Sequence, residues 1–486
     1  MKRSTFLFLT ALLCQQAFGQ QNEFLAKVKT AYDDFAEKSI SVRRFKHGDV
    51  EPLLLNLKTK QGFSVTKAGE SIEGRSIYLA KAGTGPVKVL LWSQMHGDET
   101  TATRVLLDLF NFLSDKSTFA KEKEALLKGV TLYFIPMLNP DGAEQFQRRN
   151  ALGIDINRDA VRLQSPEARL LKHVRDSLNP DFGFNLHDQN SATSAGSTGK
   201  PASLSFLAPA YNEAKDINES RKAALQVVVK LNNLVQNYMP GHTARYDDTF
   251  EPRAFGDNIQ KWGTSTILIE CGAYADDPEK QVIRKVHFLA LLGTLQSIAD
   301  GSYKKLDSND YFKIPENGRY YVDLLVKNGQ LALENSWYTM DLAIRLRENT
   351  REDLRTYDVA GYIEDFGDMS VYFGYDEIDA TGMTIVPGKV YPDIFETIEA
   401  IPADNIDNWL QEGYTYVKVR KLVGRYVDLP INIIGAYQTP DESISFGDPA
   451  TFIITKDGRV MFTVVNGMVY NPAANDKGIK NGIVVR

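Results

Sequence analysis

His96, Asp98 and Glu99 lie together in the stretch VKVLLWSQMHGDETTATRVLLDLF, residues 87–110. An imidazole and a carboxylate three residues apart can aim at one ion from a tight turn. Two histidines with one carboxylate suit zinc, which takes imidazole nitrogen and carboxylate oxygen and in catalytic sites keeps a position open for water. His187, in FGFNLHD (182–188), supplies the second imidazole. Glu270, in TSTILIECG (264–272), supplies a further carboxylate able to act as general base toward a hydrolytic water. His-x-x-Glu alone is weak, because it arises by chance at ordinary composition. What gives it weight is the placement of the polar residues relative to the elements around them.

Those elements are four apolar runs, VKVLLWSQ (87–94), VTLYFIPML (130–138), FGFNLHD and TSTILIECG, which read as buried strands. Helical patterns lie between them. In SPEARLLKHVRDSL (165–178), Ser165 can cap, Pro166 suits the first helical position and Glu167 favours the positive end of the dipole. RKAALQVVVKLNNLVQNYM (221–239) is another helix. The alternation predicts an α/β fold, an α/β/α sandwich on a mostly parallel mixed sheet. His96 and Glu99 follow the first run, Asn139 and Asp141 the second, His187 ends the third and Glu270 the fourth. In an open parallel sheet these ends share one edge, where such folds bind ligands.

With 486 residues, 43% hydrophobic and 24% charged, the chain has the composition of a folded protein of two domains. Lys2 and Arg3, an apolar run from Phe6 to Leu13 and the small residues Ala17 and Gly19 predict a signal peptide over residues 1–19, too short to span a bilayer. Export to a periplasmic or extracellular location follows. Leu13 before Cys14 is too large for a lipoprotein signal. Losing Lys2 and Arg3 takes the net charge from −6 to −8, which argues against nucleic acid as a partner; no transmembrane anchor is expected. Only Cys271 remains in the mature chain, so no intrachain disulfide forms. Beside a carboxylate at the end of an apolar strand it reads as an inert buried thiol.

Of the other histidines, His47 in KHGDVE reads as solvated surface, His173 as a half-exposed helix residue and His287 as helical, while His242 lies in a loop with no assigned role. NSATSAGSTGKPAS (190–203) reads as a surface loop.

HGDE (96–99), NPDG (139–142), RRNALGIDINRD (148–159), LHD (186–188) and ILIECG (267–272) resemble the zinc metallocarboxypeptidase family, the carboxypeptidase A-like peptidases, in order and in spacing. The resemblance covers roughly residues 60 to 295. It implies one zinc ion held by His96, Glu99 and His187, with Glu270 as general base and Arg148 stabilising the oxyanion. It also implies that Asn157 and Arg158 bind the free C-terminal carboxylate of a peptide substrate, and that Asp155 orients a ligand histidine. Three departures stand out. The family's NRN is Asn157-Arg158-Asp159 here, and Asp188-Gln189 replaces the Ser-Tyr of animal digestive members. The nearest tyrosine to the family's substrate-capping position is Tyr246. Gly256 falls where the family has the floor of the side-chain pocket.

After about Lys305 the texture changes to short alternating runs, with turn signals at Asn328-Gly329, Asp457-Gly458 and Asn466-Gly467. A β-rich domain over 305–486 is expected after a catalytic domain over 20–304. YDEIDATGMTIVPGKVYPD (375–393) and FGDPATFIITKDGRVMFTVVNGMVY (446–470) resemble the small β domain of amidohydrolases, but no histidine follows His287 to build a metal site there. The expected activity is a secreted zinc carboxypeptidase. The alternative is a zinc amide hydrolase of the same superfamily acting on cell-wall peptides or N-acyl amino acids, since aspartoacylase-like deacylases share a similar His-x-x-Glu and Asn-Arg arrangement. A binding protein on a dead peptidase fold would be expected to lack a ligand or the base, and all four residues are present.

Overall fold

The computed structural model describes residues 21–333, 336–441, 443–473 and 478–485; the expected signal peptide, 1–19, and Cys14 lie outside them. Two compact units divide at Arg319/Tyr320. The expected boundary at 304/305 falls 15 residues earlier. The difference has a packing cause: Tyr311 and Ile314 are buried in the main core of the first unit, so this segment stays with it.

Among the described residues the first unit has ten strands in chain order: β1 (Phe63–Glu70), β2 (Ser76–Gly83), β3 (Val87–Ser93), β4 (Val130–Ile135), β5 (Phe182–Asp188), the two-residue β6 (Ser194–Ala195), β7 (Leu204–Leu207), β8 (Thr243–Arg245), β9 (Ser265–Cys271) and the two-residue β10 (Asn317–Gly318). All but β6 and β10, which pair with each other, join one sheet in the order β1-β2-β4-β3-β5-β9-β7-β8. The four apolar runs of the sequence are β3, β4, β5 and β9, and they form the parallel centre. The outer pairs β1/β2, β2/β4 and β7/β9 are antiparallel. Every residue of β9 is buried, as expected of a strand covered on both faces.

Helices cover the sheet. Pro166–Leu178 starts as its sequence predicts, with the Ser165 hydroxyl accepting from the Ala168 amide at 3.2 Å. Thr101–Ser114, directly after the HGDE turn, buries twelve of its fourteen residues. Its one acidic residue, Asp108, is compensated inside the core by Arg284 (2.5 Å) and by the Tyr32 hydroxyl (2.7 Å). Gln281–Ala299 is long and apolar enough to cross a membrane, but most of it is buried in this core.

The second unit carries an eight-stranded, mostly antiparallel sheet and a three-stranded parallel one (Lys389–Phe395, Tyr414–Val419, Asn432–Gly435). Asp457-Gly458 and Asn466-Gly467 are tight hairpin turns whose four residues all have positive φ. Asn328-Gly329 is not a turn. It sits inside the strand Tyr321–Leu333 as a register shift between Val326 and Gly329, a β-bulge that lets the strand run on.

Candidate metal centre and active site

The chain leaves β3 through Gln94, whose left-handed backbone (φ 47°) turns the next residues across the sheet edge. Its side chain accepts from the Thr103 hydroxyl at 2.8 Å and donates to the Gly97 carbonyl at 3.0 Å, fixing the turn from within. Gly97 is required by proximity: a Cβ there would lie 2.0 Å from the carbonyl carbon of Gly142. The HGDE and NPDG turns are therefore packed backbone to backbone. Asn139 laces them together, capping Gly142 (2.9 Å) and donating to the Met95 and Arg148 carbonyls (both 3.3 Å). Asp141 points elsewhere, to Ser71 (2.7 Å) and Arg75 (2.7 Å). The polar residues after β4 thus hold the frame of the site.

His96, Glu99 and His187 converge, with one donor atom from each lying within 4.8 Å of the others. Glu99 bridges the two rings, one oxygen 2.7 Å from His96 Nδ1 and the other 2.6 Å from His187 Nδ1; the two Nδ1 atoms are 3.2 Å apart. The far nitrogen of His96 meets Asp155 at 3.2 Å. Burial opposes charge on His96, but Glu99 and the Asp155 bond overcome it and raise its pKa to about 9. Burial likewise pushes the Glu99 carboxyl up, and the two imidazoles outweigh it, holding the carboxylate well below its usual range. His187, more deeply enclosed, is shifted down by burial. Asp98, although next to Glu99, is not one of the converging donors; burial and the Glu99 charge raise its pKa.

Glu270 stands opposite His187 in the β5/β9 register. Burial raises its carboxyl well above the usual range, and the charges of Glu99 and Asp188 add to the shift. Arg148 spans the mouth. It reaches Asp155 at 2.9 Å and Glu99 at 3.3 Å, and its side chain is 42% exposed. Asp155 therefore supports both His96 and Arg148, and it also caps the Ile156–Arg158 turn through the Asn157 amide (2.9 Å). Asn157 Oδ1 is taken by the Phe255 amide (2.9 Å), which leaves its NH₂ group, and Arg158 pairs with Glu251 at 3.3 Å. Tyr246 follows β8, its amide donating to the Phe206 carbonyl at 2.9 Å; burial raises its phenol pKa, and the charges of Glu270 and Glu99 contribute next. Gly256 lies against Asn185 and Pro209, with room for little beyond a methyl group.

Outside the site, His47 departs from its expected solvated surface. It opens the helix His47–Leu57 and bonds the Ser76 carbonyl at 2.9 Å. Cys271 has an imidazole neighbour that sequence did not reveal, His287, at 3.2 Å. Burial raises the thiol well above its usual range and lowers His287 to about 3, so both stay neutral and the cysteine is inert. Asp188 accepts from Thr101 (2.7 Å) and Lys280 (3.1 Å) behind the donors, and no local motif marked that partnership.

An open α/β sheet whose central strand ends gather a His–Glu–His donor set, a buried carboxylate and an arginine has the parts to hold a metal ion beside a base. Residues 54–267 match the family model described as zinc carboxypeptidase. Among characterised relatives, carboxypeptidase 2 of Trichophyton tonsurans is 26% identical over 141 residues, 29% of this chain and 25% of that protein. Mouse carboxypeptidase M is 27% identical over 137 residues, 24% of this chain and 30% of that protein. The chain thus spans about a quarter of the length of the fungal relatives it matches. A solved metallo-carboxypeptidase from Burkholderia cenocepacia aligns at TM-score 0.43 and 18% identity, over 54% of this chain and 69% of that one.

The family implies zinc, and the residues present fit it. Ligand atoms on a tetrahedron with bonds of about 2.05 Å sit about 3.3 Å apart; the two Nδ1 atoms are 3.2 Å apart, while the Glu99 oxygens, at 2.7 and 2.6 Å from them, are at hydrogen-bond distance. The Asp155–His96 contact is the carboxylate–imidazole support common behind ligand histidines.

Proposed function

We propose that the protein is an exported zinc carboxypeptidase, releasing residues from the C-termini of peptides. The observation that carries this reading is the cluster of His96, Glu99 and His187, the single such group among the described residues, with Glu270 and Arg148 beside it. His96, Glu99 and His187 would hold the ion, which when bound supplies Lewis acidity to the scissile carbonyl and the attacking water.

The remaining chemistry belongs to the chain. Glu270 sits in a buried setting that favours its protonated form, so as a carboxylate it is a strong base. It takes the proton of the attacking water and returns it to the departing amine. Arg148, held in orientation by Asp155, offers N–H donors to the oxygen on which negative charge develops. Arg158 and the Asn157 NH₂ bind the substrate's terminal carboxylate, which takes the place of Glu251 on the guanidinium. Tyr246 closes over the bound end and excludes water. The signal over residues 1–19 would direct export.

Mass spectrometry of the mature protein with mixed peptides, each carrying either a free or an amidated C-terminus, tests this. Stepwise loss from the free forms only, stopped by a zinc chelator, is the expected result. Intact peptides of both kinds from zinc-loaded protein would overturn it and direct attention to N-acyl amino acids and cell-wall peptides.

A further inference from the structure

Gln189, Ser205 and Asn317 close a ring of hydrogen bonds beside Glu270. Gln189 Nε2 donates to Ser205 Oγ (2.8 Å), Ser205 Oγ donates to Asn317 Oδ1 (2.7 Å), and Asn317 Nδ2 donates to Gln189 Oε1 (3.0 Å). Turning either amide over would set like atoms against each other, so each member fixes the other two. Ser205 is the cross-strand partner of Glu270 in the antiparallel β7/β9 pair, which puts both side chains on one face of the sheet. Gln189 lies two residues beyond His187, its amide bonded to the Cys271 carbonyl (2.9 Å). The ring is therefore anchored to the strands on both sides of Glu270.

Asn317 comes from far along the chain. It belongs to the two-residue strand β10 (Asn317–Gly318), which pairs antiparallel with β6. The residues before it are tied to β8: the Arg245 amide donates to the Pro315 carbonyl (2.7 Å), and Arg245 Nη2 meets Glu316 at 2.5 Å. Gly196 donates to the Glu316 carbonyl at 2.8 Å. Arg245 immediately precedes Tyr246, whose own amide bonds Phe206 in β7 (2.9 Å). Four residues at the very end of the first unit thus grip both the strand leading to Tyr246 and the strand opposite Glu270.

We propose that Asn317 is a positioning residue of the active site, and that segment 315–318 is the clamp fixing Glu270 and Tyr246 relative to one another. The inference rests on the function proposed above for its catalytic consequence, but its structural half can be read without turnover. A side-chain ring that acts as one unit loses its effect when any member is removed, so its substitutions are not additive.

The test uses the full chain with Asn317→Ala, Gln189→Ala and the double variant, each at wild-type zinc content. Asn317→Asp joins them, because it keeps the acceptor for Ser205 and loses only the donor to Gln189. The readouts are steady-state kinetics on a peptide with a free C-terminus and hydrogen exchange across residues 194–205 and 243–246. The expected result is a loss of about tenfold in kcat for each single variant, no further loss in the double, and faster exchange in both segments. Multiplying losses, or exchange equal to wild type in these segments, would overturn the proposal. If the wild-type protein cleaves no peptide, the functional reading fails and the exchange experiment alone decides the clamp.

Discussion

His187 and Glu270 are register partners on adjacent parallel strands, so a candidate metal donor and the candidate base stand side by side on one face of the sheet. Glu270→Gln keeps size and hydrogen bonding but cannot accept the proton. We expect kcat to fall by about 10²–10⁴ with zinc content unchanged, checked by metal analysis and single-turnover kinetics. Equal activity in the variant would remove Glu270 from the chemistry.

Asp155 serves His96 and Arg148 at once. Asp155→Ala frees the imidazole to rotate and leaves the guanidinium without its anchor. Zinc affinity should drop by about 10–100-fold in competition titrations with a chelating dye. Arg148→Ala should leave zinc affinity close to wild type while lowering kcat by about 10²-fold or more. The opposite pattern would reverse the two roles.

Gly97 touches the backbone of Gly142, where a side chain cannot be accommodated by rotating anything aside. Gly97→Ala should cost about 3 kcal/mol or more in urea unfolding and weaken zinc binding with it, because the turn that carries His96 must move. Gly153, with positive φ and open space around it, makes a contrast: Gly153→Ala should act through backbone strain alone, costing about 1 kcal/mol and sparing the metal.

His287 gives a pH dependence of stability separate from the site. Burial lowers its pKa to about 3 from the ordinary 6.5. As pH falls below 6.5 the unfolded chain takes up a proton that the folded chain refuses until about pH 3. The neutral-imidazole contribution is thus fully present above 6.5 and is lost progressively as pH falls toward 3. His287→Leu has no proton to take up, so its unfolding free energy from urea titration should decline less between pH 7 and pH 4, by a difference on the order of 3 kcal/mol. Parallel declines in the two proteins would refute the assignment.

Much of the site was legible before any coordinates, because its parts obey local rules. An apolar run that ends in a histidine or glutamate advertises a strand whose tip leaves the core, and β3, β5 and β9 each did so. The parallel arrangement followed from the helices between the runs, and it gathers their ends on one edge. The sequence also contained Asp155, Asn157 and Arg158 within one short turn, so their proximity needed no long-range information. In the same way Asp457-Gly458 specified its hairpin through the positive φ that both residues tolerate.

Tertiary structure decided what depends on partners distant in the chain. Asn139 and Asp141 follow the second apolar run as polar residues at the sheet edge, but which groups they hold, Met95 for the first and Ser71 and Arg75 for the second, depends on distant chain. Asn328-Gly329 carries the same turn signal as the real hairpins, and its pairing with the following strand made it a bulge. Asn317 reaches Ser205 across 112 residues and Gln189 across 128. Periodicity and turn chemistry report what a residue prefers within a few neighbours. Which buried donor meets which acceptor is settled only when the whole sheet closes, because an unmet polar group costs the same wherever along the chain its partner lies.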